Sequence, residues 1–238
     1  MKRICKKVFP MLLFLWIISE AVSVSGDQKD RKDHTVMIYM IGSNLESRNG
    51  SGSKDILEMS TSGIDLSKSN VVICTGGSRR WALDISARQN SVLELTGDEN
   101  YFQTVLESDE NQNMGDGKTL TDFLDYAALT YPAEHYSLIF WDHGSGPVMG
   151  FGNDELYEYD SLRLPELKEG LENSIFGDIC HLDWIGFDAC LMSGIEVAEI
   201  LADYADYMVA SQEVEPGSGW DYSFLEILNE TSNPIQIA

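Results

Sequence analysis

Two residues in this sequence have types and a spacing that suit nucleophilic chemistry. His143 is followed by Gly144-Ser145-Gly146, and Cys190, 47 residues later, follows Asp188-Ala189. A thiolate attacks carbonyl carbon readily, and an imidazole takes up and returns a proton near neutral pH. The glycines after His143 let backbone N–H groups approach a substrate carbonyl closely, so the N–H groups of Gly144 and Cys190 are expected to form an oxyanion hole. Alone, a cysteine at a strand end is usually a small buried apolar residue, and a histidine after a strand is usually a loop residue. Together, each at the end of its own apolar run, they point to a Cys–His acyl-transfer dyad.

The elements that must position this pair are those of an α/β domain, because from His34 onward short apolar runs alternate with amphipathic stretches. Strands are expected at residues 35–41, 70–75, 136–142, 182–188 and 207–211, all nearly continuously apolar, as strands buried on both faces must be. Helices are expected near 53–61, 119–129, 165–173 and 193–204, with Pro165 suited to a first helical turn. Residues 81–85 and 91–96 read as an appended hairpin, and 42–52, 98–117 and 144–160 as loops. In a parallel sheet, function collects beyond the carboxyl ends of the strands. The run at 136–142 leads directly into His143. The run at 182–188 leads directly into Cys190, with a helix start expected at Ser193 to lower the thiol's pKa. The dyad therefore requires these two strands to be neighbours.

Composition limits the partners. The 238 residues carry 16 Lys and Arg against 39 Asp and Glu, a formal charge of −23, so a nucleic acid or an anionic membrane would be repelled. Cationic ligands suit this field. Lys2, Arg3, Lys6 and Lys7 precede an apolar run over residues 8–18, with small residues at Ser19, Ala21, Ser23 and Ser25. Residues 1–25 are therefore expected to be a secretion signal removed on export, an uncleaved anchor being the alternative, and 26–238 a single domain, whole or truncated at its C-terminal end. With the signal gone, the exported chain is secreted or surface-held without stable membrane association. Cys5 leaves with it, and Cys74, Cys180 and Cys190 remain, an odd number that leaves at least one thiol free.

Several segments carry a family resemblance. Trp141-Asp142-His143-Gly144-Ser145-Gly146 and Gly186-Phe187-Asp188-Ala189-Cys190-Leu191-Met192 resemble the clostripain family of cysteine peptidases, relatives of caspases, legumains and gingipains. The likeness extends through Thr35–Asn44, Val72–Gly77 and Tyr207–Gly217, and so over nearly the whole exported chain. It implies a caspase-like three-layer α/β/α sandwich with a mostly parallel central sheet, and hydrolysis of peptide bonds after Arg or Lys in protein or peptide substrates. By position, His143 becomes the general base and acid and Cys190 the nucleophile. A basic specificity needs a carboxylate in the pocket for the residue before the cut. Asp188 is the first candidate, and Glu213, Glu215 and Asp221 follow. Many members cut themselves between the two catalytic residues, and here the first basic residues after His143 are Arg163 and Lys168.

Other features carry less. Asp154, Glu155, Glu158 and Asp160 form an acidic loop that could hold calcium, although their spacing is not that of an EF-hand and a solvated loop is the commoner outcome. The chemistry itself requires no cofactor. His34, His135 and His181 lack zinc-site spacing, and Gly76-Gly77-Ser78-Arg79-Arg80 lacks a phosphate-loop pattern. Two alternatives to the peptidase remain: a catalytically silent caspase-like module that binds cationic peptides, and a cysteine amidohydrolase acting on non-peptide amides.

Overall fold

The computed structural model describes residues 30–237, so the expected signal lies outside the described residues. The chain begins with β1 (Lys32–Ile41), followed by α1 (Ser43–Asn49), α2 (Ser51–Thr61), β2 (Ser69–Gly76), β3 (Ser91–Leu95) and β4 (Phe102–Glu107). Next come α3 (Gly117–Thr130), β5 (Ala133–Trp141), α4 (Gly146–Met149), and a hairpin of β6 (Phe151–Asp154) and β7 (Asp160–Leu162). The last part holds α5 (Leu164–Glu172), α6 (Ile175–Asp178), β8 (Leu182–Asp188), α7 (Ile195–Leu201), β9 (Ala205–Val209), a 3-10 segment (Tyr222–Asn229) and α8 (Pro234–Ile237).

Seven strands form one sheet in the order β4-β3-β2-β1-β5-β8-β9. All pairs from β2 to β9 are parallel, and β3 and β4 add an antiparallel edge. The apolar runs explain the sheet's interior: β1 and β2 are buried almost along their whole length because helices cover both faces. Side chains alternate between those faces. Met37, Tyr39, Phe140 and Phe187 pack with Leu120, Phe123, Leu167, Leu171 and Val197 beneath α3, α5 and α7. Ile38, Met40, Ile139 and Trp141 pack with Ile56, Met59, Tyr222 and Leu225 beneath α2 and the 3-10 segment. The result is a three-layer α/β/α sandwich, as the resemblance implies. Among the described residues no helix is long and apolar enough to cross a membrane.

Some expected boundaries shift. Residues 81–85 are not a strand: Trp81 and Ile85 are buried in a loop as core plugs, and β3 pairs instead with β2 and with β4, a strand inside the stretch read as a loop. The segment 42–52 is mostly helical, forming α1 and the start of α2. The loop at 144–160 contains α4 and the β6–β7 hairpin. The helix after Cys190 begins at Ile195, not Ser193, so a turn separates the thiol from the helix end. Asp142 and the last residues of the 207–211 run lie beyond their strands, and β9 starts earlier, at Ala205.

Candidate active site

β5 and β8 are hydrogen-bonded neighbours running parallel, with Trp141 opposite Asp188 in the register. This pairing carries His143 and Cys190 to the same end of the sheet, on turns that touch. The contact is tight at Gly144, where a Cβ would run into the Cys190 carbonyl oxygen and stand 2.9 Å from Met192 Cγ. Only glycine lets these two turns lie against one another. Beyond Cys190, Leu191 adopts φ +64 and donates its N–H to the Glu213 carbonyl oxygen at 3.1 Å, which ties the Cys190 turn to the loop after β9.

His143 is half-buried, and burial holds its pKa below the usual histidine value, so the imidazole is neutral at physiological pH and has a lone pair to accept a proton. Its Nε2 lies 2.7 Å from Asn44 Oδ1, at the start of α1 beyond the end of β1. Cys190 is also half-buried, and its Sγ receives the N–H of Glu215 at 3.3 Å. That donor, and not a helix end, is the polar group the backbone presents to the sulfur. Cys74, also a free thiol, is buried in the core, and burial pushes it up to about 12.

Asp188 is only 5% exposed. It accepts the Trp220 N–H at 3.2 Å and the Tyr222 hydroxyl at 3.0 Å, and Gly219 passes so close that a Cβ would stand 3.0 Å from either carboxylate oxygen. Its side chain is also hydrogen-bonded to that of Glu215, so one carboxyl donates a proton to the other. Burial, reinforced by the charge of Glu215, raises the Asp188 carboxyl to about 7, and burial raises Glu215 as well. A third buried acid, Asp55 on α2, accepts the indole N–H of Trp141 at 2.7 Å and is raised to about 7, chiefly by burial and secondarily by Asp188. Of the four sequence candidates for the basic pocket, the fold thus brings Asp188 and Glu215 together, with the backbone N–H of Glu215 on the Cys190 sulfur. Glu213 is exposed, and Asp221 caps the 3-10 segment through Ser223 and lines a cavity of about 290 Å³ together with Trp184, Trp220 and Phe224.

The acidic loop has internal uses. Asp154 accepts the N–H groups of Met114 and Leu156, Glu155 accepts that of Arg79, and Asp160 accepts from the Asn113 amide. Among the described residues no group of three His, Cys, Asp or Glu side chains could hold a metal ion. Arg163 is exposed but supplies its carbonyl oxygen to Leu167 in the first turn of α5, and Lys168 lies within that helix. Cleavage at either would require α5 to open.

The profile of the clostripain family matches residues 38–238. This chain belongs to that family. It is 29% identical to clostripain of Hathewaya histolytica, over 86% of this chain and 43% of the relative. A secreted C11 cysteine protease of Bacteroides thetaiotaomicron, solved with an irreversible peptide inhibitor, superposes with a TM-score of 0.68 at 23% identity, covering 87% of this chain and 56% of that one. An inactive zymogen C11 protease of Parabacteroides distasonis superposes with a TM-score of 0.66 at 25% identity, covering 88% and 57%. The chain thus spans about half the length of these clostripain-family relatives. Two residues that spacing did not mark, Asn44 and Trp220, lie at the site. Asn44 falls inside one of the resembling segments, which is the sequence signal that could have drawn attention to it.

Proposed function

We propose that this chain carries the catalytic centre of an exported cysteine endopeptidase that cleaves peptide bonds after Arg or Lys. The observation that supports the reading is the pairing of β5 with β8, which brings the turn of His143 against the turn of Cys190, two residues after Asp188 in the sequence. Membership of a family of cysteine peptidases supports the reaction type, and the acidic chain supports a cationic substrate. In the proposed sequence, neutral His143 takes the proton of the Cys190 thiol as sulfur attacks the carbonyl carbon before the scissile bond. The N–H groups of Gly144 and Cys190 receive the developing oxyanion. His143 then gives its proton to the leaving amine, and water, deprotonated by the same imidazole, releases the acid product from the thioester. The basic side chain enters beside Asp188 and Glu215, where its charge replaces their shared proton.

The direct test is an assay of residues 26–238 against fluorogenic peptides ending in Arg, Lys or Asp. Hydrolysis of the Arg and Lys peptides that disappears in Cys190→Ala is expected. Hydrolysis that survives Cys190→Ala refutes the reading.

A further inference from the structure

Two adjacent residues of one turn grip two adjacent residues of another across the cleft. Asn44 Oδ1 meets His143 Nε2 at 2.7 Å, and one residue earlier in each segment Ser43 Oγ donates to Asp142 Oδ1 at 2.5 Å. The second contact is fully buried: Ser43 and Asp142 are 0% and 3% exposed, and Asp142 also accepts the Asn153 N–H at 2.7 Å. Ser43 takes a left-handed backbone, φ +46, that side-chain-bearing residues rarely adopt. Its carbonyl oxygen accepts the Ser78 hydroxyl and its own hydroxyl accepts the Leu45 N–H, so the unfavourable conformation is held from several sides. Such over-determined strain is stored where geometry matters. Here its effect is to aim the next side chain, Asn44, at the imidazole.

We infer that Asn44 is the positioning residue of His143, setting both the tautomer and the ring orientation of the base. An amide oxygen can only accept, so the imidazole proton sits on Nε2 and the lone pair on Nδ1. A free imidazole would divide between two tautomers and swing about χ2, and either change would move the Nδ1 lone pair on which the proposed proton transfer from Cys190 depends. Other titratable groups nearby do not compete for Nε2: Asp142 is turned onto Ser43 and Asn153, Cys190 stands on the opposing turn, and Glu215 is engaged with Asp188. This inference rests on the proposed Cys190–His143 chemistry.

The experiment compares Asn44→Ala and the near-isosteric Asn44→Asp with wild type, with rates expressed per active site counted by an irreversible peptide alkylator. Asn44→Ala should lower kcat about 10–100-fold with KM within about twofold, as expected when a reacting group is misplaced. Asn44→Asp places a carboxylate on the imidazole N–H and should move the limb of the kcat/KM profile set by His143 to higher pH, by about one unit or more. A merely structural residue would reduce the number of active sites and leave both kcat per site and the profile unchanged. That result in Asn44→Asp overturns the inference, even if Asn44→Ala fails to fold. Hydrolysis surviving Cys190→Ala would instead overturn the reading beneath it.

Discussion

Replacing Asp188 by Asn removes an ionisable carboxyl and keeps a side chain of the same shape, whose one amide oxygen can still accept the Trp220 N–H while its NH2 faces the Tyr222 hydroxyl, which can accept from it. The cost to a basic substrate follows from burial. Removing one partner of a desolvated charge pair costs about 2–5 kcal/mol, because the other charge is left without a counterion. Glu215 remains beside the vacated position, half-exposed and able to ionise, so the lower part of that range applies. About 2–3 kcal/mol corresponds to a loss of about 30–150-fold in kcat/KM for Arg and Lys peptides. Peptides with a neutral residue at that position should change less than about threefold. The assay is kcat/KM for matched Arg, Lys and norleucine peptides in wild type and Asp188→Asn. It is repeated at raised salt, since a diffuse field is screened over about 8 Å at physiological ionic strength whereas a buried contact is not. Because burial raises the Asp188 carboxyl to about 7, the wild-type preference for Arg over norleucine should also grow as pH rises through 7 and the carboxyl ionises. Equal losses on basic and neutral peptides would refute the reasoning and give Asp188 only the structural duty of anchoring Trp220 and Tyr222.

The nucleophile can be identified by labelling: iodoacetamide should modify Cys190 and leave Cys74 untouched in the folded protein, as read by peptide mass spectrometry, because Cys74 is buried with its thiol raised to about 12. His143→Ala should lower kcat by about 10²–10⁴-fold without altering the circular dichroism spectrum, and near wild-type turnover would disprove the placement of the base. Gly144→Ala should lose activity and stability together in a thermal melt and peptide assay, since its Cβ collides with the Cys190 backbone. Asp55 has a folded pKa of about 7 against an ordinary value of 3.8, so the folded state keeps a proton the unfolded chain releases, and this group's contribution falls as pH rises from about 4 through 7. Asp55→Asn should therefore stabilise the protein more at pH 8 than at pH 5, by up to about 3 kcal/mol in denaturant titrations, and equal effects at both pH values would contradict a buried neutral Asp55.

The parts of this fold that could be read from the sequence are those where burial dictates residue type. The runs that became β1, β2, β5 and β8 are apolar because helices cover both faces, and their ends located His143 and Cys190 before any pairing was known. β4 could not be read in this way: it is an edge strand with most of its residues exposed, so FQTVLE carries neither an apolar run nor a strict alternation. Trp81 misled for the opposite reason, since a loop that dips into the core has a strand's hydrophobicity without its backbone. α1 is short and polar, and its stabilisation comes from contacts such as the Glu46 carboxylate with Ser53 and Ala82, which no local pattern reveals. Asn44 and the Asp188–Glu215 pair depend on meetings between distant segments. Spacing within one segment says nothing about them.

The strand order also determines when the cleft comes into being. β1 lies in the middle of the sheet, and later strands are added on either side of it, β2 first and then β5, β8 and β9. A chain delivered from its N-terminal end can therefore pair β1, β2 and β5 while Cys190 has yet to arrive. Even then the Asp188 carboxyl waits, because it acquires its Trp220 and Tyr222 partners from residues made later still. A half-synthesised molecule therefore has a sheet on which the proposed dyad is not yet assembled, so the proposed activity belongs only to a chain whose β8 has been made and paired.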